Sequence, residues 1–365
     1  MNRRTFLSLL ATTPLLSWAT HRVSLGQEAS RSLHARHFQV SNGRILDLNG
    51  NVWKAHGINI PFMSFGGPAI EAGHVVSNAA CEPLTSTFPG VNFVRFLTFW
   101  GLEQLRYCSA LAMAPYIDRL TAAGIVTLIS PQYYPTILSG PDLDNVCKWY
   151  TSVASYYKDN PCVWFETQNE PSKVPGGGYG SPDGEIKRIY AAIRHTGNMS
   201  PVGICPFGGV NLTHMNPGSY LPGFTNVFWD IHFYGWVPNY VADQAAVNDA
   251  LLNQITAFNG TRSTDGVIPV IIAEFGPATG GVGEHSTGFF GSEGMWYDNN
   301  WQQVLQAVYT LGMNYSGWAQ FCWNTAGMTP APHTKWIDGT LLAPFNGTAL
   351  TKPGQMLKDA LAAYV

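Results

Sequence analysis

From Val52 onward the sequence alternates short apolar runs of strand length with longer segments of helical periodicity. The strand-like runs are Val52 to Ile60, Val91 to Phe96, Ile125 to Ile129, the run from Val163, Val202 to Pro206, Val227 to Phe233, the run from Val267 to Glu274, and Gly317 to Trp323. They are near-continuous in Val, Ile and Phe instead of alternating with polar residues, as parallel strands covered on both faces are. Helical segments fall at about Ala112 to Ala123, Asp142 to Lys158, Asp183 to His195, Ala242 to Phe258, Trp301 to Leu311 and Lys352 to Ala363. One of them must stop at Asn160-Pro161, because proline cannot continue a helix. Eight such strands in an α/β chain predict a single (β/α)8 barrel, the TIM-barrel fold. A doubly wound sheet is the alternative. It normally brings a glycine-rich phosphate turn after its first strand, whereas the first run here ends Gly57-Ile58-Asn59. Ahead of the barrel, Phe38 to Asp47 reads as an N-terminal β-hairpin turning at Asn42-Gly43. Pro61 to Pro89 is expected to be a long loop with one short helix, and Pro277 to Gly294 a second loop.

Composition fits a large folded core. Of 365 residues 45% are hydrophobic and only 12% charged, which excludes a disordered chain. A net charge of −3 gives no electrostatic case for nucleic acid. Two arginines at Arg3-Arg4 directly precede an apolar run to Ala19, with Ser17 and Ala19 as small residues for cleavage. Residues 1–30 are therefore expected to be a twin-arginine export signal and flexible start, and 31–365 one domain. That apolar run is too short to span a bilayer, so no membrane anchor is expected. Six cysteines are compatible with disulfides in an exported protein, but Cys205 and Cys322 sit in strand-like runs and read as buried thiols.

Two of the strands end alike. Val163-Trp164-Phe165-Glu166-Thr167-Gln168-Asn169-Glu170-Pro171 carries an apolar run into a carboxylate and a proline, and the run from Val267 meets Glu274-Phe275-Gly276. In a barrel of this kind active sites lie at the carboxyl ends of the strands. Those ends here carry Arg95, Gln132, Asn169 with Glu170, His232 with Tyr234, Glu274 and Trp323. Gathering so many polar groups without partners costs several kcal/mol, so they are expected to face one mouth. Glu166, four residues before Glu170, is a competing carboxylate. Trp100, Tyr133, Trp236, Trp296 and Trp336 are candidate stacking surfaces for a flat ligand.

The pattern Asn169-Glu170-Pro171, His232-Phe233-Tyr234 and Ala273-Glu274-Phe275-Gly276, with the early strand-end Arg95, resembles glycoside hydrolase family 5, the cellulase and β-mannanase family of (β/α)8 retaining hydrolases. The likeness runs from about Gly43 to the C-terminus. It implies that Glu170 is the general acid/base and Glu274 the nucleophile, held about 5–5.5 Å apart as retention requires. It implies further that Arg95 and Tyr234 stabilise Glu274, His232 lies beside Glu170, Asn169 reaches the sugar 2-hydroxyl, and Trp323 is the platform under the cleaved sugar. Trp318, the other tryptophan of that strand, is expected in the barrel wall. Gln132 stands where the family usually has a histidine, so it is expected to bind a sugar hydroxyl without carrying charge. The implied activity is endo-acting hydrolysis of a β-1,4-linked glucan or mannan by a monomer that needs no cofactor or metal. An exo-β-glycosidase of the same clan and a non-catalytic glycan-binding barrel are the alternatives.

Overall fold

The computed structural model describes residues 37–62, 84–99, 101–133, 136–235, 238–239, 241–276, 300–321, 350 and 352–365. The proposed leader, Cys81, Cys322, Trp100, Trp236, Trp296, Trp323 and Trp336 lie outside them, as does most of both expected long loops.

A small antiparallel sheet comes first: β1 (Gln39–Ser41), β2 (Arg44–Leu46) and β3 (Val52–Trp53). Its first turn is built on Asn42 at φ 45° and Gly43 at φ 81°, left-handed conformations that an Asn-Gly pair adopts cheaply. Eight parallel strands then close a barrel: β4 (Ala55–Pro61), β5 (Phe93–Leu97), β6 (Val126–Ser130), β7 (Val163–Glu166), β8 (Val202–Ile204), β9 (Val227–Phe233), β12 (Val270–Phe275) and β13 (Gly317–Gln320), with β13 pairing back onto β4. Between β9 and β12 sits a two-stranded ribbon, β10 (Arg262–Ser263) with β11 (Gly266–Val267). Two expected strands are therefore divided. Val52 and Trp53 belong to the small sheet, and Val267 to the ribbon, so the barrel strands start at Ala55 and Val270.

The helices are α1 (Leu84–Thr87), α2 (Ala110–Ala122), α3 (Gly140–Tyr156), α4 (Asp183–His195), α5 (Gln244–Thr256), α6 (Trp301–Leu311) and α7 (Lys352–Leu361). Ser109 caps α2 by accepting the Ala112 N–H, and Asp243 caps α5 by accepting that of Ala245. Their apolar faces pack on the outward side chains of the strands. Ile58, Val94, Ile129, Phe165, Ile204, Ile231, Ile272 and Trp318 belong to that layer. Trp318 is fully buried against Phe275 and Tyr309, in the wall as expected.

The inward side chains divide into two storeys. Toward the N-terminal ends the lumen is apolar, filled by Phe93, Val126, Leu128, Trp164, Phe228, Ile271 and Ala273. The small sheet plugs this end: Phe38 meets Trp53 and Trp164 edge to face at 5.4 and 5.2 Å. Asn226 fastens the plug, accepting the Val40 N–H at 2.6 Å and donating to the Phe38 carbonyl at 2.8 Å. Gly57 leaves room for Phe93 here, since a Cβ would fall 2.0 Å from the Phe93 carbonyl oxygen. Two residues further along five of the strands, on the same face, the lumen turns polar with Asn59, Arg95, Ser130, Glu166 and Asp230, and His232 follows two residues beyond Asp230.

Candidate active site

Arg95 organises the polar storey. It is 0% exposed, and each of its five N–H groups has an acceptor. Nε and Nη2 donate to the two oxygens of Glu166 at 2.8 and 2.9 Å. Nη2 also donates to Asn169 Oδ1 at 2.7 Å, and Nη1 to Asn59 Oδ1 at 3.0 Å and Glu274 Oε2 at 2.5 Å. Asn59 is itself fixed, donating to the carbonyls of Ala273 and Ala319 at 2.9 and 3.1 Å. One buried guanidinium thus sets the positions of groups carried by three other strands.

Glu274 receives a second donor, the Tyr234 hydroxyl, at 2.7 Å. Burial alone would raise its pKa, but His232, Arg95 and Tyr234 together outweigh that and hold the carboxyl below its ordinary value. Burial, reinforced by Glu274, pushes the Tyr234 phenol well up, so it remains a donor. The register slips between Ile272 and Glu274 against β9, and this irregularity aligns Glu274 with His232.

Glu170 lies just past the end of β7 in a left-handed conformation, φ 45°. Such a conformation costs a non-glycine residue about 1–3 kcal/mol and must be held by its surroundings. Its N–H points to Cys205 Sγ at 3.2 Å, and the Asn169 N–H donates to the Pro131 carbonyl. Tyr150 of α3 secures the strand end beneath, donating to the carbonyls of Glu166 and Thr167. Gly209 closes one side: a Cβ there would lie 3.0 Å from Glu170 Cγ and 2.8 Å from the His232 ring.

His232 joins the two carboxylates. Its Nδ1 is 2.6 Å from Glu170 Oε1 and 3.8 Å from Glu274 Oε1, and single oxygens of Glu170 and Glu274 lie within 4.8 Å of each other and of that ring. Burial disfavours the imidazolium, yet Glu274, Glu170 and Asp230 raise its pKa well above the ordinary value. Asp230 stands on the other side, 3.4 Å from His232 Nε2 and 3.5 Å from Arg95 Nε.

Four carboxyl groups therefore share one storey, and exposure separates them. The side chains of Glu170 and Glu274 are 16% and 11% exposed, while Glu166 and Asp230 are 0%. Only the first two reach the mouth. Burial and the nearby Asp230 raise the pKa of Glu166 while Arg95 pulls it down; its structural task is to hold Arg95. Two groups place three metal-ligating residue types close together, Cys205–Asp230–His232 and Glu170–His232–Glu274. In both, the carboxylate charge already faces Arg95 or His232.

The structure brings Arg95, Asn169, Glu170, His232, Tyr234 and Glu274 together, and Trp323 lies outside the described residues. Gln132 is at the same level but buried, its amide donating to Ser130 Oγ at 2.7 Å. Tyr133 is no stacking platform in this arrangement: one face covers Phe99 and its hydroxyl donates to buried Glu185 at 2.9 Å. Asn59, Asp230, Cys205 and Gly209 carry no role in the sequence reading. Asp230 was the accessible one, two residues before His232 on one strand and so on the same face. Cys108, Cys147, Cys162 and Cys205 are free thiols, Cys205 buried as expected.

Comparison with known proteins identifies the family and agrees with the fold. The family model "Cellulase (glycosyl hydrolase family 5)" matches residues 89–327, well over half of the chain. The chain belongs to glycosyl hydrolase family 5. It is accordingly an O-glycosyl hydrolase, with the barrel of a family 5 protein in place. Solved structures share the fold at low identity. The catalytic domain of a mannanase from Streptomyces sp. SirexAA-E is 18% identical with a TM-score of 0.58, covering 97% of this chain and 94% of that one. A β-mannanase from Streptomyces thermolilacinus, solved with mannohexaose, is 20% identical at TM-score 0.58, covering 89% and 94%. The catalytic domain of an endoglucanase from Thermobifida fusca is 17% identical at TM-score 0.60, covering 90% and 98%. No curated protein matches the chain.

Proposed function

We propose that this family 5 protein is a retaining, endo-acting hydrolase of a β-1,4-linked glucan or mannan, with Glu170 as acid/base and Glu274 as nucleophile. The observation that carries the reading is the approach of one oxygen from each carboxylate to within 4.8 Å. That spacing suits direct attack on the sugar; an inverting pair stands about 6.5–9.5 Å apart to admit a water. Solved structures of the same fold are named as mannanases and an endoglucanase, which supports a β-glycan substrate.

In the first step the Glu274 carboxylate bonds to the anomeric carbon as the glycosidic C–O bond breaks, and the departing oxygen takes the proton of Glu170. In the second, Glu170 removes a proton from water, whose oxygen displaces Glu274 and releases the sugar with its original configuration. Arg95 and Tyr234 keep Glu274 ionised and aimed. In this reading Asn169, held by Arg95, donates to the 2-hydroxyl, and Gln132 and Trp323 are the residues assigned to further sugar contacts. The Arg3-Arg4 leader directs export, with substrate met outside the cytoplasm.

Incubation with cellohexaose, mannohexaose and a nitrophenyl monoglycoside tests the reading. Internal cleavage of one hexaose, with the β-anomer formed first by NMR, is expected. Release from the monoglycoside alone would refute endo action, and an initial α-anomer would refute retention.

A further inference from the structure

Glu170 is gripped at both ends by a closed circuit of contacts, and Cys205 completes it. The Cys205 sulfur receives the Glu170 N–H at 3.2 Å and lies 3.9 Å from His232 Nε2. On its other side the same ring places Nδ1 2.6 Å from Glu170 Oε1. Backbone and carboxyl of one residue are thus joined through a single thiol and a single imidazole. Cys205 is 0% exposed, so its sulfur faces protein and not the mouth.

The backbone around Glu170 shows why that contact counts. Asn169 before it donates to the Pro131 carbonyl, and Pro171 after it accepts the Gly208 N–H. The turn that begins at Cys205 ends on His232: Gly209 donates to the Pro206 carbonyl, and its own carbonyl accepts the His232 N–H. These are all main-chain bonds, which many side chains would permit. Only the bond to the Glu170 N–H runs through a side chain, so there the identity of the residue decides. Glu170 itself is left-handed at φ 45°, a conformation that persists only where its surroundings over-determine it.

A thiol suits this place. Burial pushes its pKa up to about 12, so it stays neutral and adds no charge to a storey that already holds Glu166, Glu170, Asp230 and Glu274. Sulfur is a weak acceptor, able to take an N–H without competing for the proton that Glu170 must deliver. Asp230 holds the ring as well, with an oxygen 3.4 Å from His232 Nε2.

We propose that Cys205 is a positioning residue for the hydrolytic reaction: by accepting the Glu170 N–H and supporting His232, it sets where the acid/base carboxyl meets the glycosidic oxygen. This rests on the hydrolase reading above. Because Cys205 acts through Glu170, its loss should be felt by substrates whose leaving group needs a proton and spared by those whose leaving group does not.

The test compares the full-length enzyme with Cys205→Ala, Cys205→Val and Cys205→Ser. The alanine removes the acceptor, the valine removes it while filling the space, and the serine keeps it. kcat/KM is measured on cellohexaose, mannohexaose and a dinitrophenyl β-cellobioside or β-mannobioside. Hexaose binding is followed by intrinsic fluorescence, and the Glu170 amide by hydrogen-exchange mass spectrometry. Cys205→Ala and Cys205→Val are expected to lose about tenfold in hexaose kcat/KM and to exchange that amide about tenfold faster, the size of one modest hydrogen bond. Their hexaose Kd, and their kcat/KM on the dinitrophenyl glycoside, should stay within about twofold of wild type. Cys205→Ser should recover most of the hexaose rate and the amide protection. Equal losses on both substrate types, or a valine variant as active as the serine one, would mark a packing residue and overturn the proposal. Wild-type cleavage and amide protection in Cys205→Ala would overturn it too, with the hydrolase reading intact. A wild type that cleaves neither hexaose defeats the hydrolase reading, and faster amide exchange in Cys205→Ala would then leave the hold on Glu170 standing.

Discussion

Replacing Arg95 with Met removes a buried cation on which three anions and two amides converge. Without it Glu166, Asp230 and Glu274 are left with His232 as their nearby cation, and breaking a buried ion pair on one side typically costs about 3–5 kcal/mol. For the compact unit His37–Val365 the unfolding entropy is about 0.7 kcal/mol/K, so Tm should fall by about 4–7 °C. The double variant Arg95→Met/Glu166→Gln removes a charge from each side of the pair and should regain about 2 kcal/mol or more. Activity should not return with stability, because Glu274 still lacks its guanidinium. A loss of about a hundredfold in kcat is expected in both variants, of the size seen when one preorganised donor is removed. The pH profile gives the sharper readout. Glu274 is held below its ordinary pKa, so its ionised form persists until pH falls through that lowered value. Deleting Arg95 raises that value, and the acidic limb of kcat/KM should move upward. A hydrogen bond to a charged group is worth about 1.5–3 kcal/mol, which is about one to two pH units. Thermal melts of both variants and kcat/KM from pH 3 to 8 test this. An acidic limb that stays in place, or a double variant as unstable as the single one, would refute the reasoning.

Glu170→Ala should abolish hexaose cleavage but spare formation of the glycosyl-enzyme from a dinitrophenyl glycoside, whose leaving group needs no proton; added azide should yield a β-glycosyl azide. Equal losses on both substrates would move the acid role elsewhere. Glu185 offers a test of stability alone. Burial raises its pKa to about 8, despite the Tyr133 hydroxyl, so the native state holds a proton there that the unfolded chain releases above the ordinary glutamate range. Stability present at low pH is then lost as pH rises toward 8. Glu185→Gln keeps an acceptor for Tyr133, so its Tm relative to wild type should improve from pH 5 to pH 8. Parallel curves would contradict this.

The barrel was legible because its strands are apolar on both faces and its helices stop at recognisable residues. Strand boundaries were less so. Nothing in Val52-Trp53-Lys54-Ala55 marks where the chain leaves the small sheet for the barrel, and the change is set by Asn226 and the aromatic plug instead. Glu170 and Glu274 could be picked out because strand ends gather chemistry, and Arg95 for the same reason. The role of Glu166 was ambiguous, since inward direction follows from strand alternation while depth does not. Asp230 and Asn59 escaped because their significance lies in cross-strand contacts with Arg95 and His232. The contact between Cys205 and Glu170 joins residues 35 positions apart, a proximity that no local pattern encodes.

The most direct measurement is capture of the glycosyl-enzyme. Incubation with a 2-deoxy-2-fluoro cellobiosyl or mannobiosyl fluoride, digestion and mass mapping should place one sugar ester on Glu274 and none on Glu170 or Glu166. A label on another residue, or steady turnover of the fluoride with inverted product and no ester formed, would contradict the account.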